Sequence, residues 1–260
     1  MPSDAQHNQD RERIVVINWD PEDIGLLQSL ARLGEDAQLV CVGRHDPRYI
    51  ERSLADETER PDFRYRRGQV DNQSIERFTT FLRDELDIRS ARAVIVLPHH
   101  GRSEPDAFSR LACAAIKRAC GDEPVPNIVV AVDDPEAAFE FAGHGVATIF
   151  YDGFLRSALM AHACVDLAVF RFLVELIERQ HSVQLMPIPD SLREKQFRDA
   201  CIELEYDDAG APITVLGLYS RMTGGSRVRS RLELNPGPRA SLRSANGIVA
   251  LTAAPTRAPR

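Results

Sequence analysis

The residues best placed to do chemistry begin where the first apolar run of the chain ends. A dinucleotide-binding turn carries glycines at such a junction, so that the backbone can approach a pyrophosphate held at the helix N-terminus. Only Gly25 remains here, at a position expected for a glycine that packs a helix closely on a sheet. The junction reads Asn18-Trp19-Asp20-Pro21-Glu22-Asp23-Ile24-Gly25.

Trp19 is bulky, Pro21 lacks a donor, and three carboxylates lie where a phosphate would lie. This disfavours ordinary NAD binding. Three interpretations stay open for the junction: a capped helix start with no ligand, a ligand without a pyrophosphate there, or a cation held by the carboxylates.

Further candidates follow three later apolar runs. Where an acidic residue would bind a ribose hydroxyl, after the second run, Arg44 stands instead, and it can contact a phosphate or lie in solvent. His99 and His100 are adjacent and point apart, which disfavours a shared metal ion. We leave the identity of any metal open. The remaining candidate ligand-binding residues are Gly68, Gln69 and Asp71 after the third run and Pro98 beside His99 after the fourth.

No motif of catalysis accompanies these candidates. The sequence contains no Ser/His/Asp order, no His-Glu-x-x-His metal motif and no phosphate-binding P-loop. We therefore expect no catalytic residue, and a binding protein rather than an enzyme.

The elements that position these residues alternate between strands and helices. Short β-branched runs predict strands over 13–18, 38–42, 63–66, 93–97, 127–132 and 147–150. Helices are predicted over 21–34, 74–84, 105–119 and 135–142, with 43–62 as a long polar connection. Such alternation predicts an α/β fold with a Rossmann-like, doubly wound parallel sheet, whose carboxyl edge collects the candidate residues.

The second half of the chain has a different pattern. Residues 153–180 predict one long helix that is apolar over most of its circumference, so it bridges to a second domain or packs against a partner chain. A small α+β module follows, with strands over 183–188, 213–220, 229–234 and 247–252 and a helix over 192–204. We divide the chain into a polar leader (1–12), the Rossmann-like domain (13–152), a bridging or dimerisation helix (153–180), the α+β module (181–255) and a tail (256–260).

Composition narrows the class of protein. The 260 residues are 43% hydrophobic with a net charge of −7, which argues against general nucleic-acid binding. Five cysteines without a C-x-x-C pair predict buried, reduced thiols in a cytoplasmic protein. The apolar stretch 154–177 carries charges and is not expected to cross a membrane. Alternating Arg227, Arg229 and Arg231 suit either a charged edge strand or an acidic partner.

The order of these segments resembles the RCK domains (regulators of potassium conductance), closest to those of the CASTOR/POLLUX-type ion channels. The likeness lies in 14–25, 68–72, 91–97, 103–117 and 127–136, in the long helix, and in 213–218, 234–238 and 242–249. It implies TrkA-N-like and TrkA-C-like modules that pair as a homodimer or higher oligomer through the long helix. It also implies a cytosolic ligand sensor, with an adenine nucleotide or Ca²⁺ as candidate ligand, that gates a potassium or other cation channel or transporter at the membrane.

Two other classes of function stay open at this point. One is an NAD(P)-dependent oxidoreductase of Rossmann type, which needs a phosphate-binding loop and a catalytic acid or base. The other is a scaffold that binds no ligand and only mediates assembly.

Overall fold

The computed structural model describes residues 13–33, 37–55, 57, 61–69, 74–99, 101, 103–141, 143–177, 181–206, 210–224 and 227–253. Its chain forms two compact units, Met1–Ser157 and Ala158–Arg260. Each unit has a sheet and a core of its own and is described by itself.

The first unit is built on a six-stranded parallel sheet in the order β3-β2-β1-β4-β5-β6. The predicted Rossmann-like α/β fold is therefore confirmed, and so are its strands to within a residue or two. In register, Val15 of the first strand lies opposite Val40 on one side and Val94 on the other. The strands are β1 (Arg13–Ile17), β2 (Gln38–Gly43), β3 (Arg64–Arg67), β4 (Ala93–Val96), β5 (Asn127–Val132) and β6 (Val146–Tyr151).

Helices connect these strands. They are α1 (Ile24–Leu33) after a 3-10 turn at Pro21–Asp23, α2 (Pro47–Ser53), α3 (Ile75–Thr80) continued by a π-helical turn at Phe81–Glu85, and α4 (Pro105–Cys120). Two further 3-10 segments cover Ile88–Ser90 and Pro135–Phe141, and α5 (Asp152–Val165) begins directly after β6.

The helix α2 lies in the stretch predicted as a polar connection, so that prediction is wrong. The Asp46 carboxylate caps α2 by accepting a hydrogen bond from the Arg48 N–H, 2.9 Å away, and Pro47 occupies the first turn. Ile50 is the buried residue that holds α2 to the rest of the unit. An Asp-Pro pair is a recognised helix start, so the signal was present in the sequence.

The core of the first unit lies on both faces of its sheet. Successive residues of a strand point to opposite faces, and those of β1 separate accordingly. Val15 and Ile17 pack with Phe78, Ile116 and Ile128 on one face. On the other face lie Val16, Leu27 of α1, Leu39, Cys41 and Ile50 of α2. Burial on both faces explains the unbroken apolar run of β1.

The cysteines divide into two groups. Cys41, Cys113 and Cys120 are buried, and burial raises the pKa of the Cys113 thiol to about 12. Cys164 and Cys201 are exposed. The prediction of buried thiols is therefore correct for three positions and wrong for two.

The long helix predicted over 153–180 is interrupted, so α5 ends at Val165 and a new helix, α6 (Leu167–Ile177), begins. Asp166 lies between them. Its carboxylate accepts hydrogen bonds from the N–H groups of Ala168 at 3.0 Å and Val169 at 3.2 Å. An aspartate that caps the next helix explains the break, which the apolar pattern alone did not indicate.

The second unit carries a four-stranded antiparallel sheet in the order β7-β10-β8-β9. Its strands are β7 (His181–Met186), β8 (Ile213–Gly224), β9 (Arg227–Leu234) and β10 (Gly247–Ala253). The predicted helix over 192–204 is shorter, with a 3-10 turn at Asp190–Leu192 and α7 (Phe197–Glu203). The core joins Leu192, Phe197, Leu218, Leu242 and Ile248. The side chains of Arg227 and Arg229 lie outside the described part, and Arg231 pairs with Glu233 at 3.5 Å.

Within the described ranges, every helix is too short or too polar to span a bilayer.

Candidate functional site

The parallel sheet has one point where the strand order reverses, between β1 and β4. In open α/β sheets, ligands bind in the crevice outside the carboxyl ends of the strands at such a point. The residues that follow β1, β2, β3 and β4 therefore define the candidate site.

Asn18 joins the two strands on either side of the reversal. Its backbone has a φ of 62°, in the left-handed region that favours glycine. Its side-chain Nδ2 donates a hydrogen bond to the carbonyl oxygen of Leu97, 2.9 Å away, and that oxygen also accepts one from Ser109 Oγ at 3.2 Å. Asn18 therefore makes the tight turn that a glycine makes in dinucleotide-binding loops, and it adds a hydrogen bond that glycine cannot make.

Trp19 belongs to the core of the unit. Its side chain is 1% exposed and packs beside Phe63 and Tyr65, with ring centroids 5.2 and 5.9 Å away. The backbone N–H of Trp19 donates a hydrogen bond to the carbonyl oxygen of Val42, 3.0 Å away. The indole Nε1 has no hydrogen-bond partner among the described residues.

Two glycines beside Trp19 serve the packing of the chain on itself. A Cβ at Gly43 would lie 2.3 Å from the Trp19 carbonyl oxygen, closer than any real Cβ contact. A Cβ at Gly68 would lie 2.9 Å from the ring of Phe81. These glycines therefore let segments of this chain pack closely against one another, rather than let a ligand approach the backbone.

The Asp20 carboxylate lies at the centre of the charged part of the crevice. Its Oδ2 is 2.8 Å from Nε2 of His45 and 3.5 Å from Nη2 of Arg44. Its Oδ1 accepts a hydrogen bond from the Glu22 N–H at 3.5 Å, while the Asp20 N–H donates to Asp23 Oδ2 at 3.0 Å. Asp20 is therefore the N-cap of the helical segment that begins at Pro21, and it forms a reciprocal capping box with Asp23.

These contacts determine the charge of Asp20. Burial acts to raise its pKa, but the hydrogen bond from His45, the Glu22 N–H and the positive charge of Arg44 outweigh burial and lower the pKa below the ordinary value. Asp20 is consequently a carboxylate at neutral pH. The His45 ring also stacks on the ring of Tyr49, with centroids 4.5 Å apart.

The structure brings most of the predicted site residues together around a small cavity. Its volume is about 10 Å³, the space of one water molecule. Pro98 is not part of this cavity and lines a neighbouring cleft, and Asp71 lies outside the described residues. The cavity is lined by Asn18, Trp19, Asp20, Gly43, Arg44, Gly68, Gln69 and His99.

Gly25 does not join the cavity. It lies on α1, exposed, and a Cβ added there would meet no atom within 4 Å. The expectation that Gly25 packs a helix closely against the sheet is therefore wrong. The 3-10 turn at Pro21–Asp23 separates it from the end of β1.

A larger cleft opens over the carboxyl ends of β4, β5 and β6. Its volume is about 350 Å³, and His99 belongs to both its wall and that of the small cavity. Sequence reasoning missed most of this cleft, although Asp133 and Asp152 directly follow strands and could have been found from that position. The cleft is lined by Asp23, Pro98, His99, Gly101, Pro105, Ala131, Val132, Asp133, Phe150 and Asp152.

Asp106 orders one wall of this cleft. It is buried in the first turn of α4, and its carboxylate accepts hydrogen bonds from the N–H groups of Asp133 at 3.0 Å and Asp134 at 2.9 Å. Asp134 in turn accepts one from the Glu136 N–H at 2.9 Å, at the start of the 3-10 segment Pro135–Phe141. Sequence reasoning did not single out Asp106.

No metal site is evident among the described residues, which contain no group of three or more His, Cys, Asp or Glu side chains that could hold a metal ion.

No family model and no curated protein matches the chain. Among solved structures, the human SLO3 gating ring superimposes on 94% of this chain with a TM-score of 0.61 and 13% sequence identity. The chain has the fold of a gating-ring unit. It spans 44% of the length of that gating-ring chain.

Two other solved structures superimpose on this chain with lower TM-scores. The match with the GsuK RCK domain covers 98% of this chain and 46% of that chain, at a TM-score of 0.36 and 13% identity. The TrkA-N domain of the inner membrane protein ybaL from Escherichia coli covers 59% and 96%, at a TM-score of 0.39 and 13% identity. The narrower CASTOR/POLLUX-type likeness of the sequence stays a prediction.

Proposed function

We propose that this chain is a ligand-sensing regulatory unit of a potassium or other cation channel or transporter, and that it acts in the cytoplasm. The observation that carries the proposal is the fold that the chain shares, over 94% of its length, with the human SLO3 gating ring. That protein is named for gating, and the likeness includes both the parallel sheet and the smaller antiparallel unit.

The cleft of about 350 Å³ supports the sensing step. Phe150 lies on β6 and Asp152 is the first residue of α5, so the wall of the cleft continues directly into that helix. A ligand that binds one position of α5 more tightly than another shifts the populations of the two positions. Ligand binding at the sheet edge would in this way change the geometry of whatever α5 contacts.

Exposed apolar side chains on α5 and α6 support pairing with a second copy of the chain. Val165 is 87% exposed and Met160 is 64% exposed, and Phe154, Leu167 and Phe172 are exposed as well. Large apolar side chains that recur along helices are typical of surfaces that a partner covers. A homodimer, or a higher oligomer of the kind that the word ring describes in SLO3, would cover them.

The oligomeric state tests this assembly. We expect the protein to be a dimer or larger at micromolar concentration in analytical ultracentrifugation, and Met160→Glu and Val165→Glu to dissociate it. Ile202→Glu is the matched control, because Ile202 is equally exposed at 66% but lies on α7. A wild-type monomer, or variants that assemble as the wild type does, would contradict the proposal.

A thermal-shift screen with NAD, NADP, ATP, ADP and Ca²⁺ tests the sensing role against the two other classes. A rise in melting temperature without turnover, reduced in Asp152→Asn, supports a sensor with its site in the cleft. Turnover with NADP and a carbonyl substrate would support an oxidoreductase instead, and the absence of any shift would support a scaffold.

A further inference from the structure

The crevice after β1 contains the groups that usually bind a phosphate. A cation and an imidazole face it from the end of β2, and the backbone N–H of Glu22 faces it from the start of the helical segment that follows Asp20. Dinucleotide-binding turns use the same kinds of group for a pyrophosphate. In this chain Arg44, His45 and the Glu22 N–H are all directed at the Asp20 carboxylate.

The space for an added phosphate is missing. The cavity that Asp20 and Arg44 line has a volume of about 10 Å³, which is the space of a single water molecule and far less than a phosphate needs. The wall formed by Gly43 and Trp19 has no space to move, because even an added Cβ at Gly43 would lie 2.3 Å from the Trp19 carbonyl oxygen and Trp19 is packed in the core. The residues of this crevice therefore do not fit the adenine nucleotide that the RCK resemblance implies.

We propose that Asp20 is an internal anion that occupies the crevice in place of a ligand phosphate, and that this half of the sheet edge is closed to phosphate-bearing ligands. The carboxylate and a phosphate are both anions, so they compete for the same cation and the same N–H groups. A second carboxylate, Asp23, lies within hydrogen-bond distance of the Asp20 N–H and adds to the repulsion of an entering phosphate. Ligands that carry no phosphate remain free to use the cleft on the far side of β4.

Removing the carboxylate tests this assignment. Asp20→Ser keeps a good helix cap, since serine is a favoured N-cap residue, but is shorter and neutral. The probe is inorganic pyrophosphate. The readout is the emission of Trp19, which is the single tryptophan of the chain and lines the crevice. We expect the emission of the wild type to change little with pyrophosphate. Asp20→Ser should bind pyrophosphate with an affinity on the order of tenfold higher than the wild type, or better, because a like charge has been removed.

Two further variants show whether the gain belongs to the crevice. Asp46→Ser removes the same charge from the N-cap of α2, an exposed carboxylate that accepts from the Arg48 N–H, and should leave pyrophosphate binding at the wild-type level. Asp20→Ser combined with Arg44→Ala should lose the gained binding, because Arg44 is the cation that the phosphate would contact.

The outcomes that overturn the proposal are distinct. They are binding of pyrophosphate or ADP by the wild type at least as tightly as by Asp20→Ser, no gain in a folded Asp20→Ser protein, or an equal gain in Asp46→Ser. If Asp20→Ser does not fold, Asp20→Gly removes the charge, frees the space of the side chain and keeps a tolerated N-cap residue. The inference does not rest on the proposed regulatory function, because it concerns the crevice alone and survives a monomeric or non-gating protein.

Discussion

The side-chain amide of Asn18 donates a hydrogen bond to the carbonyl oxygen of Leu97, 2.9 Å away, and so joins the ends of β1 and β4. These strands are neighbours in the sheet, and the chain between them has already formed β2, β3 and their helices on the other side of β1. The bond lies at the point of reversal where α/β proteins bind ligands. In this molecule the Asn18 side chain joins the two strands at that point.

Asn18 is expected to contribute to stability in two separable ways. Asn18→Gly keeps the left-handed backbone and loses only the hydrogen bond, which costs about 1 kcal/mol. Asn18→Ala loses the same bond and keeps a Cβ in the left-handed region without the polar side chain that makes asparagine tolerated there, so it should cost about 2 kcal/mol or more. The loss stays moderate because Leu97 still accepts from Ser109. Urea unfolding of both variants checks this, and a larger loss for glycine than for alanine would contradict it.

Gly43 and Gly25 are expected to respond to alanine in opposite directions. At Gly43 the new Cβ meets the Trp19 carbonyl at 2.3 Å, and a backbone atom cannot rotate away. Gly43→Ala should therefore destabilise the protein by about 1–3 kcal/mol, as overpacking does elsewhere. At Gly25, on the open side of α1, Gly25→Ala should stabilise by up to about 1 kcal/mol through helix propensity. Thermal unfolding of the two variants measures both signs.

Replacing one carboxylate oxygen of Asp106 is expected to destabilise the protein. Asp106→Asn leaves one acceptor for two buried N–H donors, those of Asp133 and Asp134, and turns an amide N–H₂ toward one of them. The expected cost is about 1–3 kcal/mol. Asp46→Asn is the control: Asp46 accepts a single backbone hydrogen bond, which asparagine can also accept, so stability should change by less than about 0.5 kcal/mol. Equal losses in the two variants would contradict this role for Asp106.

The Asp20 contacts predict an acid-sensitive part of the folding free energy. The pKa of Asp20 in the folded protein lies below its ordinary value of 3.8. A carboxyl with a lowered folded pKa stabilises the protein above the unfolded pKa and loses that contribution as the pH falls through the folded pKa. The difference in unfolding free energy between the wild type and Asp20→Ser should therefore be larger at pH 5 than at pH 3. Urea titrations at both pH values measure it, and a difference that grows on acidification would contradict the assignment.

The sheet could be predicted well from the sequence because its signal is local. The apolar run of β1, bounded by Asp20 and Pro21, identifies a strand followed by a capped helix, and the structure confirms both. Repetition of that pattern predicts parallel order, because only crossover connections fit between such strands. The alternating elements thus determine the Rossmann-like fold without any glycine-rich motif.

What could not be predicted depends on partners distant in sequence or on short polar signals. Leu97 is 79 positions from Asn18, and no pattern near Asn18 indicates that its amide would reach that carbonyl. Asp106 is similar, because its two partners lie on another loop. Asp166 divides a helix that apolar spacing predicts as continuous, since a single capping aspartate carries little weight against a long apolar pattern. The contacts of Asp20 with Arg44 and His45 likewise join residues 24 and 25 positions apart, so sequence reasoning reached the charges of the crevice but not its geometry.

The position of β1 between β2 and β4 also has a consequence for the synthesis of the chain. A ribosome releases β1 and β2 early, but the second edge of β1 has no partner until the residues of β4 have emerged. The entropy of closing that loop is lost before the pairing forms, so parallel pairings across it form slowly. Until then the exposed edge of β1 is a template for strands of other chains. Fragments that end before Ala93 should therefore aggregate, whereas fragments that extend past β6 should be recovered in folded form.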